Sequence, residues 1–166
     1  MGIFPYASTP ERKKLYLFSD NIFNTKTSFF YIKGKKKYEF NTLEDLKKYK
    51  IIGVLGYFYK DLFDSAGIKA DYSPHEINAI KRLLAGRYDL YPGTVEVTWN
   101  LIEDQLPYDI DKFAILPVPL AESENSLVFS KENKLAEKYL TKFNNGLEKL
   151  KKSGRYEELK LLHNIR

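Results

Sequence analysis

The chain has 166 residues, 43% hydrophobic and 15% aromatic, which is enough for one domain with a packed core and too apolar for a disordered segment. It has no cysteine and two distant histidines, His75 and His163, which excludes disulfides, a cysteine nucleophile and thiolate metal sites; neither a zinc site nor any cofactor is expected. The net charge of +5 comes from 27 Lys plus Arg against 22 Asp plus Glu, but the lysines are scattered beside acids as on solvated helix faces, so nucleic acid is not an expected partner.

In chain order, Thr9 and Pro10 predict a turn into a short helix, since threonine caps and proline's missing N–H costs nothing in a first turn. Residues 15–18 read as a short extended piece and residues 27–32 as an aromatic strand. Gly34 and its flanking lysines predict a hairpin or exposed loop leading to Tyr38 and Phe40. Thr42 begins a short helix over 43–48, with Asp45 in the capping-box position.

Residues 51–59, from Ile51 through Gly53 and Gly56 to Tyr59, are the stretch around which the rest is arranged. A short apolar run rich in β-branched residues predicts a strand buried on both faces. Gly56 then turns the chain into a helix from Lys60, whose first N–H groups and dipole suit an anion. The same residues also fit a plain strand-to-helix turn, in which glycine only redirects the chain.

Ala66 and Gly67 stop that helix, and a strand follows over 68–72. Ser73, Pro74 and Glu76 read as a cap, a first-position proline and a third-position acid, opening a helix whose apolar face is Ile77, Ile80, Leu83 and Leu84. A strand is predicted at 88–91, and Pro92, Gly93 and Thr94 read as a turn into a helix carrying Val97, Leu101 and Ile102. Residues 113–120 are a proline-broken extended segment and 126–129 a last strand. From Lys134 the chain reads as helical, with Leu135, Tyr139, Leu140, Phe143, Leu147 and Leu150 in one stripe and a break at Gly154. Strands alternating with helices predict an α/β fold with a mainly parallel sheet.

Several pieces then fall in a familiar order: Thr9-Pro10-Glu11-Arg12 with Phe18-Ser19-Asp20, Leu43 to Leu46 with Gly53 and Gly56-Tyr57, Leu83 to Asp89, Leu127 to Lys131, and Phe143 to Leu147 leading to Tyr156. Together they resemble the extracellular solute-binding proteins of the polar amino acid type, which have the two-lobed type II periplasmic-binding-protein fold. The resemblance implies one complete lobe with flanking helices over 33–116 and a partial lobe 1 with the first crossing segment over 1–32. It also implies a return crossing over 117–129 and C-terminal helices of lobe 1 over 130–166. Much of lobe 1 precedes the Arg12 segment in that family, so the chain is expected to be a truncated member.

The resemblance also implies a function: non-catalytic binding of a small polar or anionic solute, as the receptor of an ABC transporter permease or as a sensor module. Arg12 would grip a carboxylate through its bidentate guanidinium, and Ala7 would present a backbone N–H to the same group. Gly56, Tyr57 and Phe58 stand where the family has a glycine and a hydroxyl residue, so aromatic surface replaces the hydroxyl. The family's acid for a ligand ammonium falls here on Thr94. The alternative is an enzyme on the same fold, dehydratase-like or lytic-transglycosylase-like, for which Glu11, Asp89 and Glu96 are the candidate acids; each reads more readily as a cap or a solvated side chain. The intact family member is expected to be periplasmic or extracellular, although residues 1–6 carry no signal-peptide pattern and no apolar run is long enough to span a membrane. An exposed 135–150 stripe would favour self-association.

Overall fold

The computed structural model describes the backbone of residues 2–7 and 10–163 and the side chains of residues 12–163, so the expected Thr9 cap lies outside the described residues. The first elements are β1 (Gly2–Ala7), α1 (Pro10–Leu15), β2 (Tyr16–Phe18), β3 (Phe23–Ile32), β4 (Ile51–Val54), α2 (Tyr59–Ser65), β5 (Ala70–Ser73) and α3 (Glu76–Leu84). There follow β6 (Tyr91–Thr94), α4 (Val95–Gln105), β7 (Phe113–Ile115), β8 (Ala121–Ser130), α5 (Ala136–Lys152) and α6 (Arg155–Leu162). The chain divides into two compact units, one of Met1–Thr25 with Glu122–Arg166 and the other of Lys26–Ala121. None of the described helices is long and apolar enough to cross a membrane.

In the first unit, β1 and β2 each pair antiparallel with β8, Tyr6 opposite Ser126 and Leu17 opposite Phe129. The Ser19 hydroxyl accepts the Leu127 N–H at 2.9 Å, and Asn144 on α5 accepts the Asp20 N–H at 3.1 Å. Of the expected stripe on α5, Leu147 is buried and Leu140, Phe143 and Leu150 are half-buried, while Leu135 and Tyr139 face solvent. Gly154, at φ 78°, separates α5 from α6 as its position predicts.

The second unit is built around β4. Its four residues are all buried, as an unbroken apolar run requires of a strand covered on both faces. β4 pairs in parallel with β5, Gly53 opposite Tyr72, and on its other side Ile51 bridges Leu90 in parallel. β3 pairs antiparallel with β6 and β7. The strand pairing is therefore mixed: among the described residues the parallel pairing expected from the alternation of elements is confined to the two-stranded β4–β5 sheet and the Ile51–Leu90 bridge. Alternate residues supply two cores, Phe29 and Ile51 facing the α2 side with Phe63, and Phe30 and Ile52 facing the α3 side with Ile80 and Leu83.

Three local expectations are corrected. The helix at 76 starts two residues later than expected, with His75 rather than Ser73 as its cap; the Ser73 hydroxyl donates to His75 O at 2.9 Å and holds an extended turn through Pro74. Pro92 and Gly93 are strand residues of β6, not a turn. Gly93 serves packing: a Cβ there would stand 2.3 Å from Thr98 Oγ1 and 2.7 Å from the Tyr91 ring. Val97 is exposed; α4 buries the expected Ile102 together with Thr98, and Leu101 is half-buried. The short helix expected after Thr42 forms over Leu43–Lys48 as a 3-10 helix, and the Asp45 carboxylate accepts the Thr42 N–H at 2.9 Å as its capping position requires.

Two glycines respond oppositely to the same substitution. A Cβ at Gly53 would lie 2.8 Å from the Tyr59 ring and 3.1 Å from Tyr72, and Tyr59 is wholly enclosed. Gly53→Ala is expected to lower stability by about 2 kcal/mol in urea unfolding. Gly146 sits inside α5 with open space beside it, so Gly146→Ala is expected to raise stability by about 1 kcal/mol.

Asp89 gives a pH signature. Burial alone would raise its carboxyl, but the Lys50 N–H at 2.9 Å and Lys36 Nζ at 2.9 Å outweigh that and hold it below the usual carboxylate range. A carboxyl depressed by folding adds stability above its unfolded pKa and loses it as pH falls through the folded value. Asp89→Asn is expected to cost about 1 kcal/mol at about pH 7, and the gap to the parent should close as pH drops below about 4. A gap unchanged by acid would remove the carboxylate from this account.

Candidate functional site

β4 delivers the chain at its carboxyl end into a turn over residues 55–58, and in open α/β sheets that end is where ligands settle. The Leu55 N–H still donates to Ser73 O at 3.0 Å, so the strand pairing persists to the edge of the turn. Gly56 has φ 83°, and no atom lies within 4 Å of the place a Cβ would take. The glycine is needed for its torsion, and the space beside it is open.

Three consecutive aromatics then take three different roles. Tyr59 is wholly buried, and its hydroxyl accepts the Val54 N–H at 2.9 Å. Tyr57 stacks on Tyr59 with ring centroids 5.4 Å apart, is half-buried, and donates its hydroxyl to Glu76 Oε1 at the start of α3. Phe58 meets the Tyr59 ring edge-on at 5.6 Å and leaves 51% of its surface exposed, beside Leu55 at 53%. Of the predicted wall, Phe58 is thus the free apolar surface, whereas Tyr57 is tied back into the fold.

Burial is the main cause pushing the Tyr57 hydroxyl up, reinforced by its bond to Glu76 and that residue's charge. Burial likewise raises Tyr59 and Tyr91, with the charge of Glu76 adding to both. All three stay protonated at neutral pH, so they supply no phenolate nucleophile, and Tyr59 and Tyr91 are buried as part of the wall.

Thr94 ends β6 opposite Thr27 of β3 and is the residue before α4, half-buried, with no side-chain cap bond. Two residues on, in the first turn of α4, Glu96 has one carboxylate oxygen, Oε2, that is buried and has no hydrogen-bond partner among the described residues. Asp89, the other candidate acid here, lies at the opposite end of β4 and is committed to Lys50 and Lys36, away from this turn. The side chain of Glu11 is outside the described residues. Ala7, opposite Asn125 in the β1–β8 pairing, and Arg12, half-buried in α1, both belong to the first unit. Among the described residues no group of His, Asp and Glu could hold a metal ion.

Two features had no legible sequence signal. Tyr57 and Glu76 are 19 residues apart, and nothing in the local pattern of either announces the pair. Glu96 reads as an ordinary first-turn acid until its oxygen is found enclosed.

The Tyr57–Glu76 bond joins the turn to α3. Tyr57→Phe is expected to cost about 1 kcal/mol, because the Glu76 carboxylate loses a charge-assisted donor while the stacked ring stays. Glu76→Gln should cost less, since the amide can still accept; equal losses in urea unfolding would show that the carboxylate's charge, not the hydroxyl bond, holds the pair.

Solved structures that the chain resembles include a mutant of ArgBP from T. maritima, at 24% identity and TM-score 0.68, with 93% of this chain matching 64% of that one. They include an ancestral arginine-binding protein bound to arginine, at 26% identity and TM-score 0.66, covering 93% and 66%. A third is a histidine kinase sensor domain with similarity to periplasmic binding proteins, at 16% identity and TM-score 0.74, covering 96% and 68%. The chain thus spans about two thirds of the length of these proteins. No curated protein matches its sequence. The profile of the bacterial extracellular solute-binding proteins, family 3, matches residues 1–161, and the chain belongs to that family.

Proposed function

We propose that this chain is a binding module, without catalytic activity, for a small solute that carries a carboxylate and a basic nitrogen. The observation that carries the reading is the family match along residues 1–161, which takes in both the Arg12 segment and the turn at 55–58. Arg12 is assigned to the carboxylate, with the Ala7 N–H beside it. Gly56 lets the main chain approach the solute, and Phe58 supplies an apolar face.

The solute's nitrogen needs an acid, and Thr94 cannot neutralise an ammonium. Glu96 is assigned that task. A buried carboxylate oxygen without a donor costs about 1–3 kcal/mol, which an ammonium or guanidinium would relieve. The likeness to an ancestral arginine-binding protein bound to arginine supports a ligand of this kind. In the cell the module would deliver its solute to an ABC transporter permease outside the cytoplasmic membrane, or report it as a sensor.

L-arginine and L-glutamine, tested by thermal shift and calorimetry, are the first probes, with agmatine as the analogue lacking the carboxylate. At about a hundredfold excess over Kd a bound ligand should stabilise by about 2.7 kcal/mol. Agmatine should give little shift, and Arg12→Ala should abolish the response to either amino acid. Glu96→Gln should weaken binding by about tenfold or more, in line with the loss of one charge partner at a buried site. Parental affinity in Arg12→Ala would overturn the carboxylate assignment, and parental affinity in Glu96→Gln would overturn the acid.

A further inference from the structure

A concavity lies at the other end of β4. It has a volume of about 650 Å³ and opens at the amino-terminal ends of β4 and β5. Its floor is apolar: Ile51 and Ile68 are almost wholly buried, and the ring of Tyr49 is nearly so. Its rim carries Lys50, Lys69 and Arg87, all exposed.

The charge balance of that rim favours an anion. Two carboxylates, Asp64 and Asp71, also line it. Asp64 is neutralised by Lys60 at 2.6 Å, and Asp71 accepts the Tyr88 hydroxyl at 2.7 Å. Lys50 lies near Asp89, but that acid already holds Lys36 at 2.9 Å. Among the described residues, none of Lys50, Lys69 and Arg87 has a carboxylate within ion-pairing distance. Three cations around one hollow repel one another, and a bound anion converts that repulsion into attraction. What little of the floor is open, at Tyr49 and Ile68, is apolar, and a bare inorganic ion would leave it wet.

We propose that this hollow is a second binding site, separate from the turn after β4, for a small organic anion that sets a flat apolar body on the floor and a carboxylate or phosphate against Lys69 and Arg87. Arg87 suits the anionic head, since its planar fork matches two oxygens at once. The site stands on unit-two residues alone and is independent of what binds near Gly56.

Phenyl phosphate, benzoate and inorganic phosphate, titrated into the isotope-labelled chain by NMR, test it. Phenyl phosphate is expected to shift the backbone amides of residues 49–51, 68–71 and 87–88, and to bind more tightly than inorganic phosphate. The paired substitution Lys69→Gln with Arg87→Gln should weaken it about tenfold without moving the thermal midpoint, because both side chains are exposed. A control pair on α5, Lys138→Gln with Lys142→Gln, should leave affinity unchanged. Equal affinity for phenyl and inorganic phosphate, shifts scattered over every lysine-bearing surface, or equal weakening by the control pair would each overturn the proposal. Benzoate binding at the same amides would support a carboxylate head, and phenyl phosphate binding alone a phosphate head.

Discussion

The second unit depends on one enclosed tyrosine. Tyr59 sits at the start of α2 with its ring against Gly53, and its hydroxyl accepts the Val54 N–H, so a single side chain closes the end of β4 from which it has just departed. The last strand N–H would otherwise be buried with no acceptor, a defect of about 1–3 kcal/mol. The same ring stacks on Phe63, which stacks in turn on Phe29 of β3. A strand end, a helix start and the crossing strand are thereby fixed by contiguous rings rather than by helix propensity, which is weak for a seven-residue helix.

That anchoring explains why the turn can present exposed apolar surface. Tyr57 and Tyr59 hold it from two sides, one through Glu76 and one through Val54, and Phe58 between them is left facing outward. With the backbone held by those two contacts, covering the Phe58 ring would cost side-chain ordering but little ordering of the main chain. Gly56 contributes in the same sense: its left-handed torsion makes the turn tight, and the missing Cβ leaves the main chain approachable.

Much of this was legible in the sequence, and the failures share a cause. The run at 51–54 announced a doubly covered strand because nothing polar interrupts it, and all four residues are buried. The glycines at 67 and 154, read as helix breaks, both have positive φ. Pro92 and Gly93 misled because turn chemistry is a local signal, whereas Gly93 answers a tertiary need, the approach of Thr98. Ser73 misled in the same way: its hydroxyl does bond to nearby main chain, but it closes a turn instead of capping a helix. The partly parallel pairing was readable from alternation, while the antiparallel pairs of β3 were not, since a strand's direction is set by the chain's route between units and not by its own residues.

The two ends of β4 carry unlike chemistry for a reason that follows from the strand itself. At its amino end the flanking segments supply Lys50, Lys69 and Arg87 around a hollow whose floor is the buried face of Ile51 and Ile68. At its carboxyl end the surroundings are tyrosines kept neutral by burial, with Glu76 and Glu96 as the nearby acids on α3 and α4. Both acids occupy first turns, where the helix dipole favours a negative charge and offsets part of the cost of enclosing Glu96, while at the amino edge Lys50, Lys69 and Arg87 outnumber the rim acids Asp64 and Asp71. This contrast in charge is what both proposals draw on, a positive nitrogen for the turn after β4 and an anion for the hollow before it. The opposition follows from side-chain charge and helix direction in a single compact unit.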